Sequence, residues 1–102
     1  MIRYYDRQGK PLPDVVTWGR LLEMRSYQHV AETTLPHGLW VSTVWLGLDH
    51  NFNPNGPPLI FETTVFRTKA DLEGLETRRY STEAEARTGH DALCAEWATE
   101  QP

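Results

Sequence analysis

Apolar and polar positions alternate along three stretches of this chain and recur every three to four residues along two others. The alternating stretches are 27–35 (YQHVAETTL), 39–48 (LWVSTVWLGL) and 58–66 (PLIFETTVF), all rich in the β-branched and aromatic residues that favour strands. Arg78 to Tyr80 predicts a fourth, shorter strand. The helical periods lie near the ends. Asp14 can cap a helix over about 14–24 whose apolar side is Val15, Trp18, Leu21 and Leu22, with Trp18 and Leu22 the residues expected to be buried. Thr82-Glu83-Ala84-Glu85 reads as a capping box opening a helix over 83–98, with Ala86, Leu93 and Trp97 and either Gly89 or His90 forming one stripe. Ahead of both, Ile2 to Tyr5 and the turn-forming Asp6-Arg7-Gln8-Gly9 predict a short hairpin, which Pro11 and Pro13 should end.

Pro36-His37-Gly38 suits a three-residue hairpin loop with glycine in the left-handed position, so Leu35 should face Leu39. That register puts Val30, Glu32, Thr34, Trp40, Ser42, Val44, Leu46 and Leu48 on one face. Ala31, Thr33, Val41, Thr43, Trp45 and Asp49 fall on the other. The first face is the more aliphatic and is expected to receive the helices; the second, with Trp45 and two threonines, is expected to be partly open. The fold class that follows is α+β: an antiparallel meander of three to four strands with an N-terminal and a C-terminal helix packed on one face. No repeat or linker divides it, and 102 residues fit one domain over 1–102.

Composition narrows the partners. Fourteen acids against ten bases give a net charge of -4, which disfavours a phosphate-driven grip on nucleic acid. Arg3, Arg7, Arg78 and Arg79 are too scattered to alter that. Four Trp, four Tyr and three Phe are a generous aromatic supply, enough to furnish a core and part of a protein-binding surface. With Trp45 and its neighbours on a partly open face, a homodimer is also expected. The single cysteine, Cys94, excludes an intrachain disulfide and fits a reducing, cytoplasmic setting. No apolar run is long enough for a membrane span, and MIRYYDRQGK has no apolar core of an export signal.

The segments VSTVWLGLDHNF, PPLIFETTVF and RRYSTEAEARTGHDAL, with YYDRQGKPL near the start, resemble a set of small bacteriophage and prophage proteins, chiefly of high-GC hosts. The resemblance covers most of the chain. It implies an accessory protein of a virus or mobile element, and it assigns no catalytic residue.

The candidate chemistry centres on the insert DHNFNPNGPP at 49–58, between the second and third strands. Asp49 and His50, with Glu62 on the following strand, could supply an acid, a base and a positioning group for a small enzyme or ligand site. In the plainer alternative Asp49 accepts bonds from loop amides, His50 is solvated, and Asn55-Gly56 and the prolines only shape a long turn. As a recognition loop, the same insert would offer Phe52 as an apolar anchor at a polar tip. The candidate interaction residues are therefore Asp49, His50, Phe52, Trp45 and Glu62. His90 and Cys94, four apart on the last helix, could share a face toward a metal, but two ligands do not make a site, and no metal or other cofactor is expected. There is no GxGxxG, Walker or GxSxG pattern. The leading expectation is a non-enzymatic accessory protein that binds a host or defence macromolecule.

Overall fold

The computed structural model describes residues 3–51 and 55–99. Its elements are helix α1 (Val15–Glu23), a single helical turn α2 (Arg25–Gln28), strands β1 (His29–Thr34), β2 (Trp40–Trp45), β3 (Phe61–Phe66) and β4 (Glu76–Tyr80), and helix α3 (Glu83–Ala98). Both long helices begin where a side chain replaces a missing backbone partner. The Asp14 carboxylate accepts the Thr17 amide, which holds the Asp14 carboxyl below the usual range. Thr82 and Glu85 form the reciprocal capping box.

The four strands pair in chain order as an antiparallel meander. Between β1 and β2 the chain turns through Pro36–Gly38, with both His37 (φ 67°) and Gly38 (φ 90°) in the left-handed region. Leu35 there donates its amide to the Leu39 carbonyl at 2.7 Å. The N-terminal hairpin is present as a bridge between Tyr5 and Pro11, and Tyr4 bridges to Leu48 beyond β2. Pro11 stays within the ladder because its neighbours make the bonds: the Leu12 amide donates to the Tyr4 carbonyl at 2.7 Å and the Asp6 amide to the Lys10 carbonyl at 2.9 Å. Strand β1 starts two residues later than its pattern suggested, because Arg25–Gln28 coil into one turn. That turn sets the Tyr27 ring edge-on against Trp45, with centroids 4.9 Å apart.

The face that receives the helices is the opposite of the one expected. Val41, Thr43 and Trp45 on β2 and Phe61, Thr63 and Val65 on β3 have no solvent exposure. Trp40, Val44, Glu62 and Phe66 lie on the other side and are only partly covered. Counting apolar residues misjudged the burial because the buried threonines have a polar partner on α3. Ring nitrogens of His90 lie 2.9 Å from the Thr33 hydroxyl and 2.7 Å from that of Thr43, and Thr43 in turn lies 2.6 Å from Thr63. A bulge between His29 and Ala31 also rotates Val30 off its expected face, so that it packs with the core.

Along α3 three successive turns meet three successive rows of the sheet. Ala86 joins Trp45, Ile60 and Phe61. His90 sits over the threonines, and Leu93 joins Leu35, Leu39, Val41 and Val65, with Trp97 packed beside them. One helical turn rises about 5.4 Å and two strand residues about 6.6 Å, close enough for this row-by-row match to hold across the sheet. Helix α1 contributes Trp18, Leu21 and Leu22 to the cluster around Trp45. None of its residues is fully buried, so α1 seals the rim of the core. Gly47 (φ 71°) leaves no room for a side chain between the Trp45 and Trp18 rings.

Trp45 is fully buried and donates its Nε1 proton to the Tyr5 carbonyl at 3.1 Å, whereas Trp97 keeps partial exposure. Trp45→Ala is expected to cost about 3–5 kcal/mol. Trp97→Ala should cost less, although it also frees the Glu76 carboxylate that accepts the Trp97 indole proton at 2.9 Å. Urea denaturation of the two variants checks the order. A larger loss for Trp97 would mean that the weight of the core lies at the far end of α3.

Candidate functional site

The insert after β2 is held by its own polar residues. Asp49 Oδ1 accepts the amides of Asn51 (2.8 Å) and Leu59 (2.9 Å), which closes the base of the loop across both strands. The Asn51 side-chain amide donates to the Pro57 carbonyl at 2.7 Å, and the His50 amide donates to the Leu59 carbonyl at 3.0 Å. His50 Nδ1 donates to the Leu48 carbonyl at 2.7 Å, which fixes the ring and makes Nε2 the acceptor nitrogen of the neutral form. The described residues of the insert, 49–51 and 55–58, belong to neither hydrophobic cluster.

Glu62 is not drawn into this arrangement. It lies opposite Val44 on β2 and opposite Arg79 on β4, and it pairs with Arg79 Nε at 3.2 Å on the helix-free face of the sheet. Its second oxygen accepts from the Thr64 hydroxyl at 3.4 Å. Asp49, His50 and Glu62 therefore serve three separate sets of partners and do not converge on one point. Trp45, expected at a partly open surface, is a core residue, so it cannot touch a partner directly. The homodimer argument built on its exposure falls with it. Phe52 lies outside the described residues.

Several groups with altered environments lie elsewhere. His90 is 3% exposed, and burial pushes its pKa below the usual histidine value; Arg87 adds to the effect while Asp91 opposes it. Both ring nitrogens are engaged by threonine hydroxyls, so the ring is a core hydrogen-bonding unit. Burial likewise raises the pKa of the Cys94 thiol, four residues on. Among the described residues no three His, Cys, Asp or Glu side chains converge to hold a metal ion. At the start of α3, Glu83 joins Arg7 at 2.7 Å and Arg87 at 3.0 Å. Burial raises the Glu83 pKa, but the two guanidiniums outweigh it and leave the carboxyl below its usual range. This ties the N-terminal hairpin to the helix.

A shallow groove of about 600 Å³ runs beside β1, lined by Arg25, Ser26, His29, Val30, Ala31 and Glu32, and it includes none of the expected site residues. Unexpected from the sequence is the pairing of Trp40 with Phe66 on the helix-free face, their rings 5.4 Å apart, with Lys69 Nζ 5.7 Å from the Trp40 ring. The loop register already put Trp40 on that face; the missing step was knowing that the face lacks a helix. Among the described residues no helix is long and apolar enough to cross a membrane. No known protein family, curated protein or solved structure matches the chain.

The depressed pKa of His90 fixes a sign. The unfolded chain, with a histidine near 6.5, takes up the proton more readily than the folded one. The stability due to a neutral, buried ring is complete above about pH 6.5 and is lost as pH falls from there through the folded pKa. The carboxylates held low by Trp97, Arg7 and Arg87 (Glu76 and Glu83) lose their contribution in a separate window, below about 4.5. The melting temperature is expected to fall between pH 7.5 and 5.5, with the His90 ring titrating below 6.5 by NMR. A His90 midpoint above 6.5 would reverse the sign and contradict the burial.

Proposed function

We propose that this is a non-enzymatic accessory protein of phage or prophage type that acts by binding a host or defence protein, with residues 49–58 as its recognition element. The carrying observation is how the insert is tied down: Asp49, His50 and Asn51 bond it to its own base while its described residues stay out of both hydrophobic clusters. A loop whose base is held in advance loses less conformational freedom on binding, and a loop that the core does not need is free to vary. The three prolines, the Asn55-Gly56 turn and the apolar Phe52 within the same ten residues support the reading. So does the engagement of Asp49, Glu62 and His90 in structural bonds, which leaves these groups to hold shape.

The test is affinity capture from a bacterial host, comparing the parent with a His50→Ala, Phe52→Ala double variant. The variant is expected to melt within a few degrees of the parent and to lose the captured partner. An unfolded variant would make the insert part of the core, and a folded variant that keeps its partner would make it only a turn.

A further inference from the structure

We infer that Asn55 is a site of spontaneous covalent modification, at which the chain deamidates itself to aspartate and isoaspartate through the backbone amide of Gly56. The inference goes beyond the recognition role of the insert and stands without it.

All asparagines of the chain, Asn51, Asn53 and Asn55, fall within the insert. Deamidation begins when the backbone nitrogen of the following residue attacks the side-chain carbonyl carbon. Each asparagine is therefore only as reactive as its successor and its own bonds allow. Asn53 precedes Pro54, which has no backbone N–H to give up. Asn51 precedes the bulky Phe52, and its side-chain amide is held by donation to the Pro57 carbonyl at 2.7 Å. Its backbone amide is held as well, by Asp49 at 2.8 Å, so its carbonyl carbon is not free to swing onto the next nitrogen. Asn55 precedes Gly56, which has no Cβ to hinder the attack and a wide range of backbone angles in which to make it.

The structure leaves this pair accessible. Asn55 is exposed and Gly56 half-buried, and they follow each other through a turn. Among the described residues no hydrogen bond engages the Gly56 amide, so the attacking nitrogen has no bond to break first. The bonds from Asp49 to Leu59 and from Asn51 to Pro57 close the base of the insert on either side of this pair without including Gly56. Neither hydrophobic cluster contains either residue, so the core does not resist the change of shape.

The steps balance without an oxidant or a cofactor. A base takes the Gly56 amide proton, the nitrogen bonds to Asn55 Cγ, and the Cγ–Nδ2 bond breaks. Ammonia leaves with a proton, and a cyclic succinimide remains. Water then adds to either of its carbonyl carbons. Opening at Cγ gives aspartate, and opening at the main-chain carbonyl gives isoaspartate, whose backbone runs through Cγ. Either product puts a second carboxylate into an insert whose sole acid is Asp49, and makes the net charge of -4 more negative by one.

The test is to age the folded full chain at mildly acid and mildly alkaline pH and to map its peptides by mass spectrometry, with Asn55→Asp as the charge reference on native ion exchange. The expected result is a product of more acidic charge and a mass gain of about one dalton confined to Asn55. It should form faster at alkaline pH, as loss of the amide proton requires, with isoaspartate present. Gly56→Ala should slow it roughly tenfold, because a Cβ then crowds the attacking nitrogen. In the folded chain Asn55 should react nearly as fast as in the chain unfolded by urea, since no bond of the fold holds the Gly56 amide. Modification that appears first at Asn51, a rate unchanged by Gly56→Ala, or an Asn55 that reacts in urea but is stable in the folded chain would each overturn the inference.

Discussion

A histidine buried beneath a helix must satisfy two ring nitrogens, and in this protein that requirement ties α3 to three of the four strands. His90 reaches Thr33 on β1 and Thr43 on β2, and Thr43 passes the chain of hydroxyls to Thr63 on β3. A burial of this kind is tolerable only if every member finds a partner, since an unsatisfied buried polar group costs about 1–3 kcal/mol. The bonds join α3 directly to β1 and β2 and, through Thr43, to β3. The polar belt also divides the core, with the leucine-rich cluster under Leu93 on one side and the aromatic cluster under Ala86 on the other. Hydrophobic burial provides the bulk of the stability, but it is non-directional. The histidine and its threonines supply the direction.

How far the sequence could be read follows from the range of each signal. Helix starts were legible because Asp14, Thr82 and Glu85 act within three residues of themselves. The β1–β2 turn was legible through Gly38, and the strand order followed from short connections. The buried face was not. Thr33, Thr43 and Thr63 look like solvent positions until His90 is placed above them, and His90 lies 57 and 47 residues along the chain from the first two. Trp45 was misplaced for the same reason, since its face was judged without the helix that covers it. The bulge at Val30 left no mark in the alternation of residues that a one-residue shift would distinguish.

The candidate site was legible in part. The insert's position and its reliance on Asp49 as a backbone cap could be anticipated from the types of residue present. Whether Glu62 joined Asp49 depended on the face and the loop path, and the strand register sends it to Arg79 instead. The molecule thereby separates its tasks. One sheet face and two helices build the core, the base of the insert is held by bonds of its own, and the second face carries the Trp40–Phe66 pair. Neither the insert nor the Trp40–Phe66 pair belongs to the His90 belt.

The central claim is that His90 and the sheet threonines act as one unit, and a double-mutant cycle between Thr43→Val and His90→Leu measures it most directly. Alone, Thr43→Val strands a buried ring nitrogen and should cost about 1–3 kcal/mol. In the His90→Leu background that nitrogen is gone, so the same substitution should cost far less, giving a coupling of at least about 1 kcal/mol. Two costs that simply add would show that the histidine and the threonines are independent.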